Sequence, residues 1–586
     1  MKRFKTKVVK IGNCPLGGSN PIRVQSMTNT SSLDIAATVD QTKRIFDAGA
    51  DYVRISTPSQ QSAQNLEVIK KELTKAGYNN PLVADIHFNA SLALIAARLI
   101  EKIRINPGNY TGVSRKNKTN WTPSEEEQEL DKIRENISPL VRVCKEYGTS
   151  IRVGTNFGSL SPRIVSQYGN TPEGMVRSTI EFLQILEDLN FDQTVISLKA
   201  SSPYVTVRSC WLMVQKMMEL GMNYPMHIGV TEAGEGEDGR IVSALGIGAL
   251  LKAGIGDTVR VSLSEAPEVE IPVAIELVKP FNDFYSRQSE PDESYELGNF
   301  ELQTDNLPLL STNQKSIVVR IYDNLEAPKS LVATYLKGEP NAATPDVLLH
   351  KIDEGINNKS ELVLPVKNMA ENNFDSRQNN PVILSNLPLK ENDFRVLNGL
   401  ESPVILVPNQ PSPKDIEYLW LDLKDRKIRA SIIPTINPGE LSETTFLNFA
   451  AISYGALLLQ RKISGLAIAS HNDFDCDREI KTAFGLLQAA GSRITNTQFI
   501  SCPTCARTSF DMVEVVRRVK ELAKGKPGLK IAVMGCIVNG PREMADADYG
   551  ILGVGRNKVT IYKGMEPVIK NVKQGVAAEL LVKLIG

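Results

Sequence analysis

The sequence predicts an α/β protein that begins with a (β/α)8 TIM barrel. Eight short β-rich runs alternate with amphipathic stretches through about the first half of the chain, a pattern typical of parallel strands joined by helices. At 586 residues the chain is too long for one hydrophobic core, so further domains are expected after the barrel. The eight predicted strands are Arg23 to Met27, Tyr52 to Ser56, Leu82 to His87, Lys102 to Asn106, Ser150 to Asn156, Thr194 to Ser201, Met226 to Thr231 and Thr258 to Ser264.

Polar side chains recur at every second position in most of these strands. Helices cover the outer face of a TIM barrel, so polar residues of this period are expected to point inward near the C-terminal mouth. For any one strand, an arginine on a half-solvated outer face is the alternative. Several converging cations with Asn and Ser donors fit a diphosphate or a pair of phosphates. The predicted mouth residues are Arg54, Asp85, Arg104, Arg152, Asn156, Lys199, His227, Arg260 and Ser262.

Two acids of the barrel are candidates for a catalytic role. Glu232 follows the seventh strand at the start of the Gly-rich segment TEAGEGEDGR, where a carboxylate reaches over the mouth. Asp85 lies near the end of the third strand in ADIHF. For each acid the alternative is a helix cap or a partner to one of the arginines.

The middle of the chain predicts a second α/β domain with a structural role. A polar stretch rich in Asn, Gln, Ser and Glu follows residue 283, and strand-like runs such as SIVVRIYD, ELVLPV, SPVILVPN and SGLAIAS then alternate with helical stretches. A degenerate barrel is one form this domain could take. The cluster from His471 to Asp477 contains potential metal ligands, but a solvated loop is the preferred interpretation.

The last hundred residues predict a metal centre. Cys502 and Cys505 share one tight turn, and Cys536 joins them from a distant strand as a third soft ligand. A fourth thiolate does not follow, so the fourth position is open or taken by water or by a harder ligand such as Glu543. An iron-sulfur cluster is favoured, with a structural zinc ribbon and a redox dithiol as alternatives.

Composition argues against several classes of protein. Lys plus Arg equals Asp plus Glu at 67 each, so no bulk charge draws the chain to nucleic acid or to a membrane. No apolar run approaches the length of a spanning helix, and the start of the chain lacks the apolar core of a signal peptide. The seven scattered or clustered cysteines are typical of a reducing compartment. We therefore expect a cytoplasmic protein.

The motifs resemble those of the hydroxymethylbutenyl diphosphate synthase family, the iron-sulfur enzymes of the non-mevalonate isoprenoid pathway. The matching segments are VQSMTNT, ADIHF, RINPGN, RVGTNFGSL, SLKAS, GVTEAG, GDTVRVSL, SCPTC and MGCIVNGP, in family order. The interposed middle block resembles the long three-domain form found in plants and some bacteria. This resemblance implies a barrel over 1–284, an inserted α/β domain over 285–490 and a C-terminal α+β iron-sulfur domain over 491–586.

The resemblance also implies a reaction and a set of residue roles. The family opens 2-C-methyl-D-erythritol 2,4-cyclodiphosphate reductively to 4-hydroxy-3-methylbut-2-enyl diphosphate, with loss of water and two electrons from ferredoxin or flavodoxin. By this resemblance a 4Fe-4S cluster is held by Cys502, Cys505 and Cys536, and Glu543 occupies the fourth iron until substrate oxygen replaces it. The mouth residues would bind the diphosphate, and Glu232 would deliver a proton to the departing hydroxyl.

The sequence departs from the family pattern at one residue and is compatible with two alternative functions. The family pattern NGPGE is NGPRE here, and Arg542 would strain the loop before Glu543 if the family glycine needs a positive φ. A phosphate-binding barrel enzyme with a structural zinc ribbon is the alternative function, and an iron-sulfur regulator is the non-enzymatic one. A homodimer is an open alternative to a single chain.

Overall fold

The computed structural model describes most of the two ends of the chain and parts of its middle. The residues described are 2–86, 89–111, 120–287, 295–298, 300, 317–322, 331–335, 347–351, 362–364, 382–384, 387–398, 404–407, 410–439, 441–470, 477–502, 508–537, 540–544 and 547–586. The chain divides into two compact units. The first combines Met1–Gly298 with Gln498–Lys524 and Leu529–Gly586, and the second combines Asn299–Thr497 with Gly525–Gly528.

A parallel eight-stranded barrel opens the first unit, as predicted. Its strands are β1 (Arg23–Met27), β2 (Tyr52–Thr57), β3 (Leu82–Ile86), β4 (Lys102–Ile105), β5 (Ser150–Asn156), β6 (Thr194–Lys199), β7 (His227–Ile228) and β8 (Thr258–Val259). They are ordered β6-β5-β4-β3-β2-β1-β8-β7. A single parallel bridge between Ile196 and Met226 brings the two ends of this order together, so the sheet closes on itself.

Amphipathic helices follow the strands and cover the barrel. They are α1 (Ile35–Asp47), α2 (Gln60–Lys75), α3 (Ala90–Ala96), α4 (Pro123–Tyr147), α5 (Pro162–Tyr168), α6 (Pro172–Asp188), α7 (Pro203–Glu219), α8 (Gly236–Lys252) and α9 (Glu270–Ser286). Local sequence sets most of their starts. Thr122, for example, caps α4 through a reciprocal pair of hydrogen bonds with Glu125, which satisfies backbone donors at the helix start.

The last two barrel strands are much shorter than predicted. Pairing stops after Ile228 and Val259, whereas the alternation of residue types continues to Thr231 and Ser264. Gly229 accounts for the early end of β7, since it has φ of 152° and a Cβ there would lie 2.3 Å from the Arg260 carbonyl oxygen. The chain therefore leaves the ladder at the point where it forms the mouth.

The C-terminal part of the first unit is a mixed five-stranded sheet. Its strands are β17 (Gln498–Ser501), β18 (Lys530–Met534), β19 (Tyr549–Gly555), β20 (Lys558–Lys563) and β21 (Glu566–Lys573). The first three are parallel and the last two antiparallel. The helices α14 (Met512–Ala523) and α16 (Ala577–Ile585) pack on one face, and a short turn, α15 (Gly540–Glu543), lies nearer the other.

The second unit contains another eight-stranded sheet. Its strands are β9 (Ile317–Tyr322), β10 (Leu331–Tyr335), β11 (Val347–Lys351), β12 (Leu362–Leu364), β13 (Val382–Leu384), β14 (Val404–Val407), β15 (Ser431–Ile436) and β16 (Gly465–Ser470). The order is β10-β11-β9-β16-β15-β14-β13-β12, with antiparallel strands at both ends. Its helices are α10 (Glu391–Asn398), α11 (Pro413–Asp425), α12 (Glu443–Leu459) and α13 (Asp477–Ala489).

The α/β class and the N-terminal barrel are confirmed. The predicted domain boundaries after 284 and 490 stay predictions, although the barrel and the C-terminal sheet share one compact unit. Among the helices that the structure describes, none combines the length and apolar character required to cross a membrane.

Candidate active site

The interior of the barrel holds an unusual concentration of positive charge. Arg152, on β5, is only 2% exposed, and its charge acts on side chains from four other strands. Buried cations are costly unless they are paired or meet an anionic ligand. The six cationic side chains that converge here are Arg54, Lys102, Arg104, Arg152, Lys199 and Arg260.

Asp85 is the counterion for two of these cations. Its Oδ1 accepts a hydrogen bond from Arg104 Nη1 at 3.3 Å, and its Oδ2 lies 3.6 Å from Arg54 Nη2. Arg104 also donates from Nη2 to the Gly154 carbonyl oxygen at 3.0 Å. A Cβ on Gly154 would lie 2.4 Å from Arg104 Nε, so the glycine of RVGTN makes room for the guanidinium. Asp85 therefore orients two arginines. This corresponds to the alternative role named for it above, that of a partner to the arginines.

His227 lies across the barrel from Arg152 and contacts it. Arg152 Nη1 lies 3.1 Å from His227 Nδ1. Burial and the charges of Lys199, Arg152 and Lys102 hold the pKa of His227 well below its ordinary value. The ring is therefore neutral, Nδ1 accepts from the guanidinium, and Nε2 carries the proton. Among the described residues Nε2 has no hydrogen-bond partner, so this N–H is a donor available to a ligand.

Glu270 partly neutralises Arg260. The Arg260 Nε and Nη2 atoms lie 3.5 Å from the Glu270 carboxylate oxygens, which also accept from Ser26 Oγ at 2.8 Å and from the Leu263 backbone N–H at 3.0 Å. The thioether of Met27 lies between two guanidiniums, 2.8 Å from Arg54 Nη2 and 3.8 Å from Arg260 Nη1. This arrangement orders the cations but leaves much of their charge available.

Two lysines of the cluster have no carboxylate within ion-pair distance among the residues described. Burial, with Arg152, Arg260 and Arg54, holds the pKa of Lys199 well below its ordinary value. Burial, followed by Arg152, does the same to the pKa of Lys102, whose Nζ lies 5.0 Å from the centroid of the Tyr52 ring. A polyanion entering the barrel would relieve this repulsion, because it supplies the missing negative charge.

Glu232 is buried and has a strained backbone. It is 7% exposed and has φ of 51°, in the left-handed region that non-glycine residues seldom adopt. Strain of this kind concentrates where the surrounding structure holds a functional group in place. The next residue, Ala233, forms a parallel bridge with Ser501 of the C-terminal sheet, so Glu232 lies where the barrel mouth meets that sheet.

The mouth and the cysteine-bearing strand are joined directly. Ser264 Oγ lies 2.7 Å from Ser501 Oγ and 3.3 Å from the carbonyl oxygen of Cys502. The Ser264 backbone N–H in turn donates to the Gly234 carbonyl oxygen at 2.8 Å. The first cysteine of the predicted cluster is therefore held at the mouth within one chain.

Two of the predicted cysteines lie together. Cys502 follows β17 and Cys536 follows β18, and these strands are parallel neighbours whose Ser501 and Val533 are in register. The Gly535 backbone N–H donates to Cys502 Sγ at 3.2 Å. A backbone donor to sulfur stabilises a thiolate, and thiolates are the ligands of iron-sulfur clusters. These residues fit the proposed cluster.

The rest of the predicted ligand set lies outside the described residues. Cys505 belongs to the segment 503–507, and the side chain of Glu543 is likewise outside. Within the described part, no three His, Cys, Asp or Glu side chains form a group that could hold a metal. The loop strain expected at Arg542 is not required, since this residue lies within the helical turn α15, a conformation open to any side chain.

Asn156 and Ser262 complete the predicted set. Asn156 ends β5 in register with Lys199, and Ser262 lies beyond β8 and is 2% exposed. Sequence reasoning missed Lys102 and Glu270 as members of the site. Lys102 lies two residues before Arg104 on β4, so the same period-two pattern could have identified it. Glu270 opens a helix and gave no comparable signal.

Comparisons with known proteins agree with the motif resemblance. Residues 6–275 match the model described as the GcpE TIM-barrel domain, and residues 498–586 match the GcpE protein C-terminal domain. A Phocaeicola vulgatus protein named 4-hydroxy-3-methylbut-2-en-1-yl diphosphate synthase (flavodoxin) is 40% identical over 100% of this chain and 97% of its own length. A Parabacteroides distasonis protein of the same name is also 40% identical, over 100% of this chain and 98% of its own.

A plant relative extends the comparison to another electron donor. The chloroplastic 4-hydroxy-3-methylbut-2-en-1-yl diphosphate synthase (ferredoxin) of Oryza sativa subsp. japonica is 35% identical over 100% of this chain and 87% of its own length. The matches of both GcpE domains and of full-length relatives confirm the predicted resemblance. The chain belongs to the GcpE family.

Proposed function

We propose that the chain reductively opens 2-C-methyl-D-erythritol 2,4-cyclodiphosphate to 4-hydroxy-3-methylbut-2-enyl diphosphate. The observation that supports this most is the direct junction between a cation-rich barrel interior and the strand end that carries Cys502. The names of the relatives agree with this reaction. Two electrons and one proton enter, one C–O bond of the ring and one C–OH bond break, and water leaves.

Binding of the diphosphate is assigned to the buried cations. Arg152 and Lys199 lie on neighbouring strands, and Arg260 directly follows β8. Charged hydrogen bonds in such a water-poor interior are strong, and arginine matches the geometry of phosphate oxygens. The Nε2–H of His227 adds a neutral donor. Asp85 holds Arg54 and Arg104 in place, so these guanidiniums are oriented before substrate arrives.

Proton delivery is assigned to Glu232. Its carboxyl group would transfer a proton to the oxygen of the departing hydroxyl, so that the oxygen leaves as water. The residue is fixed at the junction by the Ala233–Ser501 bridge and by a left-handed backbone.

A 4Fe-4S cluster held by Cys502, Cys505, Cys536 and Glu543 would supply the electrons when bound. Cys502 and Cys536 contribute neighbouring thiolates, and the Gly535 N–H stabilises the first of them. The exchangeable oxygen ligand Glu543 remains part of the proposal.

An anaerobic assay tests this function. The protein, reconstituted with iron and sulfide, is incubated with the cyclic diphosphate and a chemical low-potential reductant, and the product is identified by mass spectrometry. Iron and sulfide in the active protein, with formation of the linear diphosphate, are expected. Stoichiometric zinc and no turnover would favour the zinc-ribbon alternative and overturn the proposal.

A further inference from the structure

The C-terminal sheet carries an excess of positive charge that the rest of the chain does not. Residues 498–586 contain 14 Lys and Arg against 8 Asp and Glu, whereas the whole chain is neutral. The sheet ends on the edge strand β21. Charge asymmetry of this kind directs association with partners of opposite charge.

The cations of this part differ in whether they have an ion-pair partner. On α14, Arg517 is paired with Glu514 and Glu521, and Arg518 with Glu579 at 2.9 Å. In contrast, Arg556, Lys558 and Lys573 are exposed and have no ion pair among the described residues. We call these last three residues the basic edge. These two arginines of α14 are neutralised within the domain, and the basic edge is not.

The basic edge contains a pairing that folding does not favour. Lys558 and Lys573 are direct partners in the antiparallel ladder of β20 and β21. Side chains in such a pair lie on the same face with Cβ atoms about 5 Å apart, and like charges there are destabilising. At the other end of the same two strands, Lys563 is opposite Glu566. The ladder of β20 and β21 thus has a favourable charge pair, Lys563 with Glu566, at one end and an unfavourable pair, Lys558 with Lys573, at the other.

The unfavourable pair lies at the cysteine end of the sheet. Met534 is in register with Leu552, so Cys536, two residues further, is level with Val554, and Gly555 is in register with Lys558. Lys558 is two strands from β18, or about 10 Å at ordinary strand spacing. Ile537, next to Cys536, is 61% exposed, and Val554 is 37% exposed. Exposed apolar side chains flanked by cations are typical of a protein interface with a charged rim.

We propose that the basic edge, with Ile537 and Val554, is the docking surface for an acidic electron-transfer protein of the flavodoxin or ferredoxin class. This inference rests on the proposed function, which requires a low-potential donor near the cysteines. Unpaired lysines at the rim attract an acidic partner over a long range, and apolar side chains beside Cys536 allow close contact once it arrives. The repulsion between Lys558 and Lys573 is relieved when the partner supplies carboxylates.

The test compares a protein donor with a small one. Wild type and Lys558→Glu/Lys573→Glu are assayed with reduced flavodoxin or ferredoxin and, separately, with reduced methyl viologen. We expect the double variant to raise the KM for the protein donor about tenfold or more, the lower end of electrostatic steering, with viologen-driven turnover unchanged. Lys524→Glu is the matched control for each single variant, Lys558→Glu and Lys573→Glu, because it makes the same charge change after α14, at the opposite end of the sheet.

Stability provides a second readout. Lys558→Glu creates an opposite-charge pair with Lys573, so it should raise the melting temperature slightly while it impairs the protein donor. An unchanged KM for the protein donor, an equal loss with viologen, or an altered oligomeric state in place of altered donor kinetics would overturn the docking surface. Absence of turnover in the wild type with both donors would instead contradict the proposed function.

Discussion

The two eight-stranded sheets of this chain bury lysines in different ways. In the barrel, Lys102 and Lys199 have no carboxylate within ion-pair distance among the residues described, and cations surround them. In the second unit, Lys462 is 5% exposed, but its Nζ lies 2.6 Å from Glu417 Oε1 and 4.8 Å from the centroid of the Trp420 ring. Both sheets belong to units of the α/β class, so the architecture alone does not decide which of the two units binds a ligand. The balance of buried charge distinguishes them.

The largest difference in iron content and turnover is expected between a cysteine variant of the C-terminal region and one of the middle region. Cys505→Ser removes a predicted cluster ligand, and we expect loss of most iron, of the visible absorbance and of all turnover, with the barrel still folded by circular dichroism. Cys476→Ser in the middle region should leave turnover within about threefold, since no function is assigned there. Wild-type iron content in the Cys505 variant would contradict the ligand assignment.

Two residues with a left-handed backbone give the next comparison. Glu232 follows β7 with φ of 51°, and Gln410 follows β14 in the second unit with φ of 49°. Glu232→Gln preserves size and backbone but removes the proton, so kcat should fall by about 10²- to 10⁴-fold, with a smaller change in KM. Gln410→Ala should leave both constants unchanged. Steady-state kinetics decide, and a normal kcat for Glu232→Gln would exclude its role as proton donor.

The buried lysines give a pair of substitutions with opposite expected effects on stability. Lys199→Met should weaken substrate binding by about 2 to 4 kcal/mol, because a buried charged contact is lost. It should also raise the melting temperature of the substrate-free protein, since a cation repelled by Arg152 and Arg260 is removed. Lys462→Met should lower the melting temperature and leave KM unchanged. A lower melting temperature for Lys199→Met would contradict the inferred repulsion of Lys199 by Arg152 and Arg260.

The smallest expected effect is the uptake of protons when the substrate binds. The pKa values of Lys199 and His227 lie well below 10.5 and 6.5, through burial and neighbouring cations. A bound diphosphate would raise both, so binding should take up protons and weaken as pH rises through the lowered pKa of Lys199. Calorimetry in two buffers of different ionisation enthalpy measures the uptake. Binding without proton uptake would mean that the anion does not meet Lys199.

The same shifts predict how stability depends on pH. Unfolding restores the ordinary pKa values, so the unfolded chain binds protons that the folded protein does not. The substrate-free protein should therefore lose stability as pH falls below 10.5 for Lys199 and below 6.5 for His227. Denaturant unfolding at several pH values checks this sign, with Lys199→Met as the control that lacks the first contribution.

The barrel and its inward polar residues were predictable because residue alternation reports directly on strand faces. Arg104, Arg152 and Lys199 are buried inside as their period indicates. The antiparallel pair β10 and β11 was not predicted, because alternation of strands and helices along a sequence indicates parallel neighbours. Glu270 was missed for a related reason: it approaches Arg260 from the start of a helix, a tertiary contact that periodicity does not encode.

The junction between Ser264 and Ser501 also joins two parts of the site that are synthesised at different times. Its two sides are 237 residues apart in the chain, and 288 residues follow Gly298. At about 5 to 20 residues per second, synthesis of that remainder takes roughly 15 to 60 s. Until Cys502 is added, late in this interval, the barrel sequence is complete but no cysteine of the proposed cluster has yet been made. The residues of the proposed anion site are therefore synthesised before those of the proposed redox site in every molecule.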